Sequence, residues 1–210
     1  MKNIYVVTHT ESIHHVQGLF GGWYDTSLTE NGRDQAGKIA MALYTKIGRR
    51  DIPIYSSDLK RCTETADIFA KVFHGPVVFD RDLREMNFGE AGGKTKEWSY
   101  KYIIPFPAEG SRLDHRLFSN SESRREIGTR ITNSLNRITD KPDDTVIIIT
   151  HGFALTYVIK AWLKVPVESM GHCGFQTHSG GVTLLNEDDV FGNRRVMYVN
   201  RRNYLSGVCE

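Results

Sequence analysis

Short apolar runs alternate along the chain with longer stretches of helical period. "IYVVT" (Ile4–Thr8), "IPIYSS" (Ile52–Ser57) and "PVVFD" (Pro76–Asp80) read as strands, and so does "DDTVIIIT" (143–150), an unbroken β-branched run of the kind buried on both faces. Between them, "ENGRDQAGKIAMALYTKI" follows Thr29 as N-cap and sets Ala36, Ile39, Ala40, Leu43 and Ile47 on one face. Asp58 to Phe73 does the same with Leu59, Cys62, Ala66, Phe69 and Phe73. A further helix is expected from about Glu122 to Thr139, with Ile127, Ile131, Leu135 and Ile138 inward, and another from Phe153 to about Leu163. "GGVTLLN" and "RRVMYVN", joined by the turn-like "EDDVFGN", complete the strands. Leu83 to Arg116 holds no period, and "EAGGKT" with "IIPFPAEG" argues for loops or an inserted lid.

This order predicts an α/β fold, a single-domain three-layer α/β/α sandwich whose mostly parallel sheet ends in an antiparallel edge strand. The expected domain is residues 1–210, with an insert at about 86–121. The chain has 210 residues, enough for a full core without staples, and 40% of them are hydrophobic. A net charge of +2, with no basic block interleaved with aromatics, argues against a nucleic-acid partner. No segment approaches the ~18 consecutive apolar residues of a membrane span. Cys62, Cys173 and Cys209 are an odd number without paired spacing, and the N-terminus lacks the apolar stretch of a signal peptide. A cytoplasmic protein is the expectation.

Ligands of such sheets sit beyond the carboxyl ends of the strands. The first strand ends at Thr8-His9, the second at Ser56-Ser57 with Arg61 one turn later. Arg84 and Glu85 follow the third strand, and "TVIIIT" runs into His151-Gly152 at the start of a helix. Two histidines, an arginine and a carboxylate at one sheet edge suit phosphoryl transfer through histidine. A neutral imidazole attacks phosphorus, cations hold its oxygens, and a carboxyl group protonates the leaving oxygen. Helix N-termini near Asp58 and Gly152 add anion-binding N–H groups. Taken singly, Arg61 could instead pair with Glu64 or Asp58, and Glu85 with Arg84.

The chain resembles the histidine phosphatase superfamily in its phosphoglycerate-mutase-like branch. "THTES" stands where that family has Arg-His-Gly-Glu-Thr, and "GWYDTSLTENGRDQA" (22–36) is similar to its Gly-Trp-x-Asp stretch. "YSSDLKRCTETADI", "LREMNFGEAGG" and "VIIITHGFAL" match its later motifs in order. The resemblance implies a metal-independent, cofactor-free phosphatase that hydrolyses a small organic phosphomonoester through a phosphohistidine. It implies His9 as nucleophile, Glu85 as proton donor, and Arg61 and His151 as holders of the phosphoryl group. A homodimer would agree with the family.

The departures are specific. Thr8 replaces the arginine before the nucleophile, Thr10 the glycine after it and His15 an asparagine; Leu19 and Met86 stand where the mutases carry basic residues. Each lost charge-assisted pair removes roughly 1.5–3 kcal/mol of anion binding. His15, Thr8, Thr10 and the Gly152 N-terminus are the expected compensating phosphate contacts, and a protonated His15 should raise activity below pH 7. His14, Trp23, Arg112 and His115 are candidates for touching the substrate. "HCGFQTH" matches no metal spacing, and no metal ligand is assigned. A mutase, or a catalytically impaired phosphate-binding regulator on the same scaffold, is the alternative.

Overall fold

The computed structural model describes residues 1–206. Six strands form one sheet: β1 (Lys2–Thr8), β2 (Ile54–Ser56), β3 (Val77–Phe79), β4 (Thr145–Thr150), β5 (Val182–Glu187) and β6 (Arg194–Arg201), in the order β3-β2-β4-β1-β5-β6. The first four are parallel; β5 runs antiparallel to β1, and the edge strand β6 pairs antiparallel with β5. The helices are α1 (Ile13–Val16), α2 (Glu30–Ile47), α3 (Lys60–Phe73), α4 (Lys96–Tyr102), α5 (Arg124–Thr139) and α6 (Gly152–Trp162).

All six residues of β4 are buried, because apolar clusters cover both faces of the sheet. Ile148 and Val146 join the cluster built with α5 and α6; Ile147 and Ile149 join the one built with α2 and α3. A fully buried aliphatic side chain contributes roughly 1.5–3 kcal/mol, so this central strand anchors the layers. Thr29 caps α2 by accepting from the Gly32 N–H at 2.9 Å. Gly32 is obligatory there, since a Cβ would lie 2.0 Å from the Glu11 carbonyl oxygen. Ser123 and Glu126 form a reciprocal capping box at the start of α5.

Three elements depart from the expected pattern. α1 is a single turn inside what reads as loop, α4 lies in the segment without apolar period, and α3 starts at Lys60 rather than Asp58. Phe20, Phe88, Trp98 and Phe118 pack in a chain of ring contacts that fastens the 86–121 segment to the loop carrying Phe20. Cys62 is buried and Cys173 exposed, both free thiols; Cys209 lies outside the described residues. Among the described residues, no helix is long and apolar enough to cross a membrane.

Candidate active site

The carboxyl ends of β1, β2 and β4 open into a cleft of about 300 Å³. Its floor is His9, whose Nδ1 donates to the Thr10 carbonyl oxygen at 2.9 Å. A carbonyl only accepts, so this bond puts the proton on Nδ1 and leaves the lone pair on Nε2. That lone pair accepts from Arg61 Nε at 3.2 Å. Burial, then Arg61 and His15, hold the His9 pKa well below 6.5, which keeps the imidazole neutral and nucleophilic.

Arg61 projects inward from the first turn of α3 and is fully buried. Its remaining nitrogens donate to Gly22 O at 2.6 Å and Tyr24 O at 3.1 Å. Gly22 can present that carbonyl because it sits at φ +54°. The surface pairings open to Arg61 are otherwise filled: Glu64 holds Arg33, and Asp58 holds Arg84. Among the described residues the carboxylate in ion-pair range is Asp25, half-exposed at 3.8 Å, with Glu85 acting on the guanidinium from farther off. A buried cation so thinly compensated favours an incoming anion.

Glu85 lies against the start of α6, accepting from Phe153 N at 3.0 Å and Ala154 N at 2.9 Å. Desolvation raises its pKa against those bonds and Arg61, as a proton donor requires. Two side chains hold its backbone: Trp23 Nε1 donates to the Glu85 carbonyl at 2.7 Å, and Arg130 Nη2 to the same oxygen at 2.9 Å. Arg130 is itself paired with Glu122 at 2.6 Å. Arg130 sits a full helix away in sequence, and no local pattern marks it.

His151 is fully buried behind His9, with ring centroids 5.1 Å apart. Its Nε2 meets Ser57 Oγ at 2.8 Å and Cys62 Sγ at 3.4 Å. Burial and then Arg61 lower its pKa well below 6.5. Gly152 lines the cleft, and a Cβ there would meet Thr177 Oγ1 at 2.8 Å.

The rim histidines differ. His15 stacks on His9 at 5.2 Å between centroids and keeps an exposed edge. His14 is buried, its Nδ1 2.8 Å from Thr26 Oγ1, and its pKa is pushed down to about 3 by burial, His15 and Arg61. Desolvation and Arg61 also lower the His15 pKa, so the expected rise in activity below pH 7 moves to more acidic conditions.

Several expected contacts are corrected. The Thr8 hydroxyl donates to His178 O at 2.6 Å and accepts from Gly181 N at 3.0 Å, which ties β1 to the loop before β5 and leaves no donor for phosphate. The Thr10 hydroxyl is spent on Gly32 O at 2.7 Å; its contribution is the carbonyl that orients His9. Trp23 positions Glu85 and lies outside the cleft. Arg112 stacks on Phe106 at 4.1 Å and His115 bonds Ile104 O, both away from the cleft. Conversely, Lys96 of α4 and His178 line the cleft, though neither follows from strand-end placement. Leu19, Phe20 and Phe88 form an apolar wall.

A neutral imidazole, a buried arginine and a desolvated carboxyl at one sheet edge define a phosphoryl-handling α/β protein. The model of the histidine phosphatase superfamily (branch 1) matches residues 4–194, and the chain belongs to that family. It is 30% identical over 214 residues to "Putative phosphoserine phosphatase 2" of Hydrogenobacter thermophilus, covering 100% of this chain and 98% of that one. It is 34% identical over 158 residues to "Phosphoglycerate mutase-like protein 4" of Arabidopsis thaliana, across 71% of this chain and 66% of that protein. Among solved structures, a mycobacterial glucosyl-3-phosphoglycerate phosphatase complexed with VO3 superposes with a TM-score of 0.77 at 25% identity, covering 95% of this chain and 99% of that one.

Proposed function

We propose that this protein is a metal-independent phosphatase that hydrolyses a small organic phosphomonoester through a phosphohistidine on His9. The observation that carries the reading is the His9 imidazole itself: Nδ1–H fixed on Thr10 O, Nε2 facing Arg61, and Glu85 on the same cleft wall. In the first step the Nε2 lone pair forms the N–P bond as the P–O bond to the alcohol breaks. The Glu85 proton goes to the departing oxygen. Arg61 passes its Nε–H from Nε2 to a phosphoryl oxygen; Glu85 engages the Phe153 and Ala154 N–H groups, so Gly152, which lines the cleft, is the α6 residue offered to another. In the second step Glu85, now a carboxylate, takes a proton from water as its oxygen attacks phosphorus. Inorganic phosphate leaves and neutral His9 returns.

Leu19 and Met86, apolar where mutases are basic, favour hydrolysis over mutase chemistry, since a bisphosphorylated ligand would lack its second set of cations. The cleft volume and the Lys96 cation at its mouth suit an ester no larger than a phosphorylated amino or hydroxy acid. The test is phosphate release from a panel of phosphomonoesters in EDTA, comparing wild type with His9→Ala. Turnover lost in the variant supports the reading. Equal background rates from both proteins would leave only phosphate binding.

A further inference from the structure

Besides the nucleophile, the cleft is lined by His14, His15 and His178, none of which takes a step in the proposed hydrolysis. One ring nitrogen from each of His9, His14 and His15 lies within 4.8 Å of the others. We propose that these three histidines form a site for a borderline divalent cation, zinc foremost, and that filling it silences the nucleophile.

The second contacts of these rings support ligation. Metal-binding histidines usually engage their other nitrogen in a hydrogen bond that fixes the tautomer and the ring plane. His9 does so through Nδ1 to Thr10 O at 2.9 Å, leaving Nε2 as donor atom. His14 does so through Nδ1, shared between Thr26 Oγ1 at 2.8 Å and Ser12 Oγ at 3.1 Å. Its Nε2 would be crowded at 2.7 Å by a Cβ on Gly21, so glycine there spares the nitrogen a side chain, and both residues line the cleft. His15 is the adjustable member, exposed on the single turn α1 and held to Ser12 only by contacts of 3.3 and 3.4 Å. Zinc–nitrogen bonds of about 2.0–2.1 Å place tetrahedral ligands roughly 3.3 Å apart, so His15 must swing inward on binding. Three imidazoles and one open position suit zinc, cobalt or copper better than magnesium or calcium, which prefer oxygen ligands.

Arg61 opposes the site. Its Nε–H occupies the His9 lone pair at 3.2 Å, and its charge repels a cation. A metal must displace that bond while Arg61 keeps Gly22 O and Tyr24 O, so this is a reversible site and weaker than a structural zinc centre. Metal and phosphate monoester compete for the same nitrogen.

The test titrates the full-length, chelator-treated protein with Co²⁺ and follows the visible band of four-coordinate cobalt, which aqueous Co²⁺ lacks. One equivalent should develop the band, and Zn²⁺ should remove it. His14→Ala and His15→Asn should each weaken binding at least about tenfold. The asparagine variant guards against misfolding, since it restores the residue that the family carries. Absence of the band at millimolar Co²⁺, or a band unchanged in both variants, overturns the proposal. The inhibitory half rests on the phosphatase reading: Zn²⁺ should slow turnover competitively with substrate, and EDTA should restore it. Turnover indifferent to Zn²⁺ at concentrations that quench the cobalt band overturns that half. The band is read without turnover, so failure of the site and failure of the phosphatase reading stay distinguishable.

Discussion

β1 and β4 lie side by side in parallel, with Thr8 opposite Thr150, and each delivers the dipeptide Thr-His to the same sheet edge. The two histidines nonetheless do different work. After His151 comes Gly152, and the chain enters α6 at once, so His151 becomes a helix N-cap residue and its ring is folded beneath the cleft against Ser57. After His9 comes Thr10, anchored through its hydroxyl to Gly32, and the chain wanders into loop and the turn α1. His9 therefore stays at the floor of the cleft with its lone pair outward. Even the preceding threonines divide labour: Thr8 ties β1 to the loop before β5, whereas Thr150 Oγ1 donates to Leu83 O and so steadies the segment that carries Glu85. The same dipeptide becomes nucleophile or support according to what the next residue lets the backbone do.

The sharpest way to break this contrast is to remove each histidine in turn. His9→Ala should cut kcat by on the order of 10⁴-fold or more, because the variant loses the nucleophilic nitrogen held against Arg61 at the floor of the cleft. His151→Asn should cost only about 1.5–3 kcal/mol, roughly 10- to 150-fold in kcat. Equal losses in single-turnover assays would mean that His151 shares the nucleophile's part. Between these lies Glu85→Gln, expected to lower kcat by about 10²–10⁴-fold for esters with poor leaving groups and far less for activated aryl phosphates.

The pH profile is a gentler probe. His9 must be neutral, and its lowered pKa moves the acid limb of kcat/KM well below 6.5. Glu85 must be protonated, and its raised pKa moves the alkaline limb above 4.5. Activity should thus survive acidification from pH 7 to pH 6, where an ordinary imidazole nucleophile would already be losing its lone pair to protons. A decline across that interval, after correction for ionisation of the substrate phosphate, would show that His9 titrates normally. The smallest effect belongs to Trp23→Phe, which removes one hydrogen bond to the Glu85 backbone. A loss of about 0.5–1.5 kcal/mol should appear in kcat with KM unchanged.

The strands and main helices are legible because they rest on local rules, namely the β-branched run of β4, the Thr29 cap and the apolar faces of α2, α3 and α5. His9, Arg61, Glu85 and His151 are legible for a topological reason: strand ends converge in this fold wherever the chain goes next. Reading from the strand ends misleads where a side chain has a nearer partner. Thr8 and Thr10 carry hydroxyls suited to phosphate, but main-chain carbonyls claim them first. Trp23 stands in the Gly-Trp-x-Asp stretch, but neither it nor Arg130 is marked by the sequence for its task, which is to grip a single carbonyl from two distant elements. Lys96 and His178 reach the cleft only through packing of the segment beyond β3 and the loop before β5, which no periodicity encodes.

The Arg61–His9 bond also bears on chemical selectivity. A nucleophile whose lone pair is capped by a guanidinium is quiet toward uncharged electrophiles, since nothing draws the cap away. An anion recruits the guanidinium to itself and bares the nitrogen in the same motion. The cleft thus screens reagents by charge before shape matters, and an uncharged acylating agent such as diethyl pyrocarbonate should modify the exposed ring of His15 well before it reaches His9.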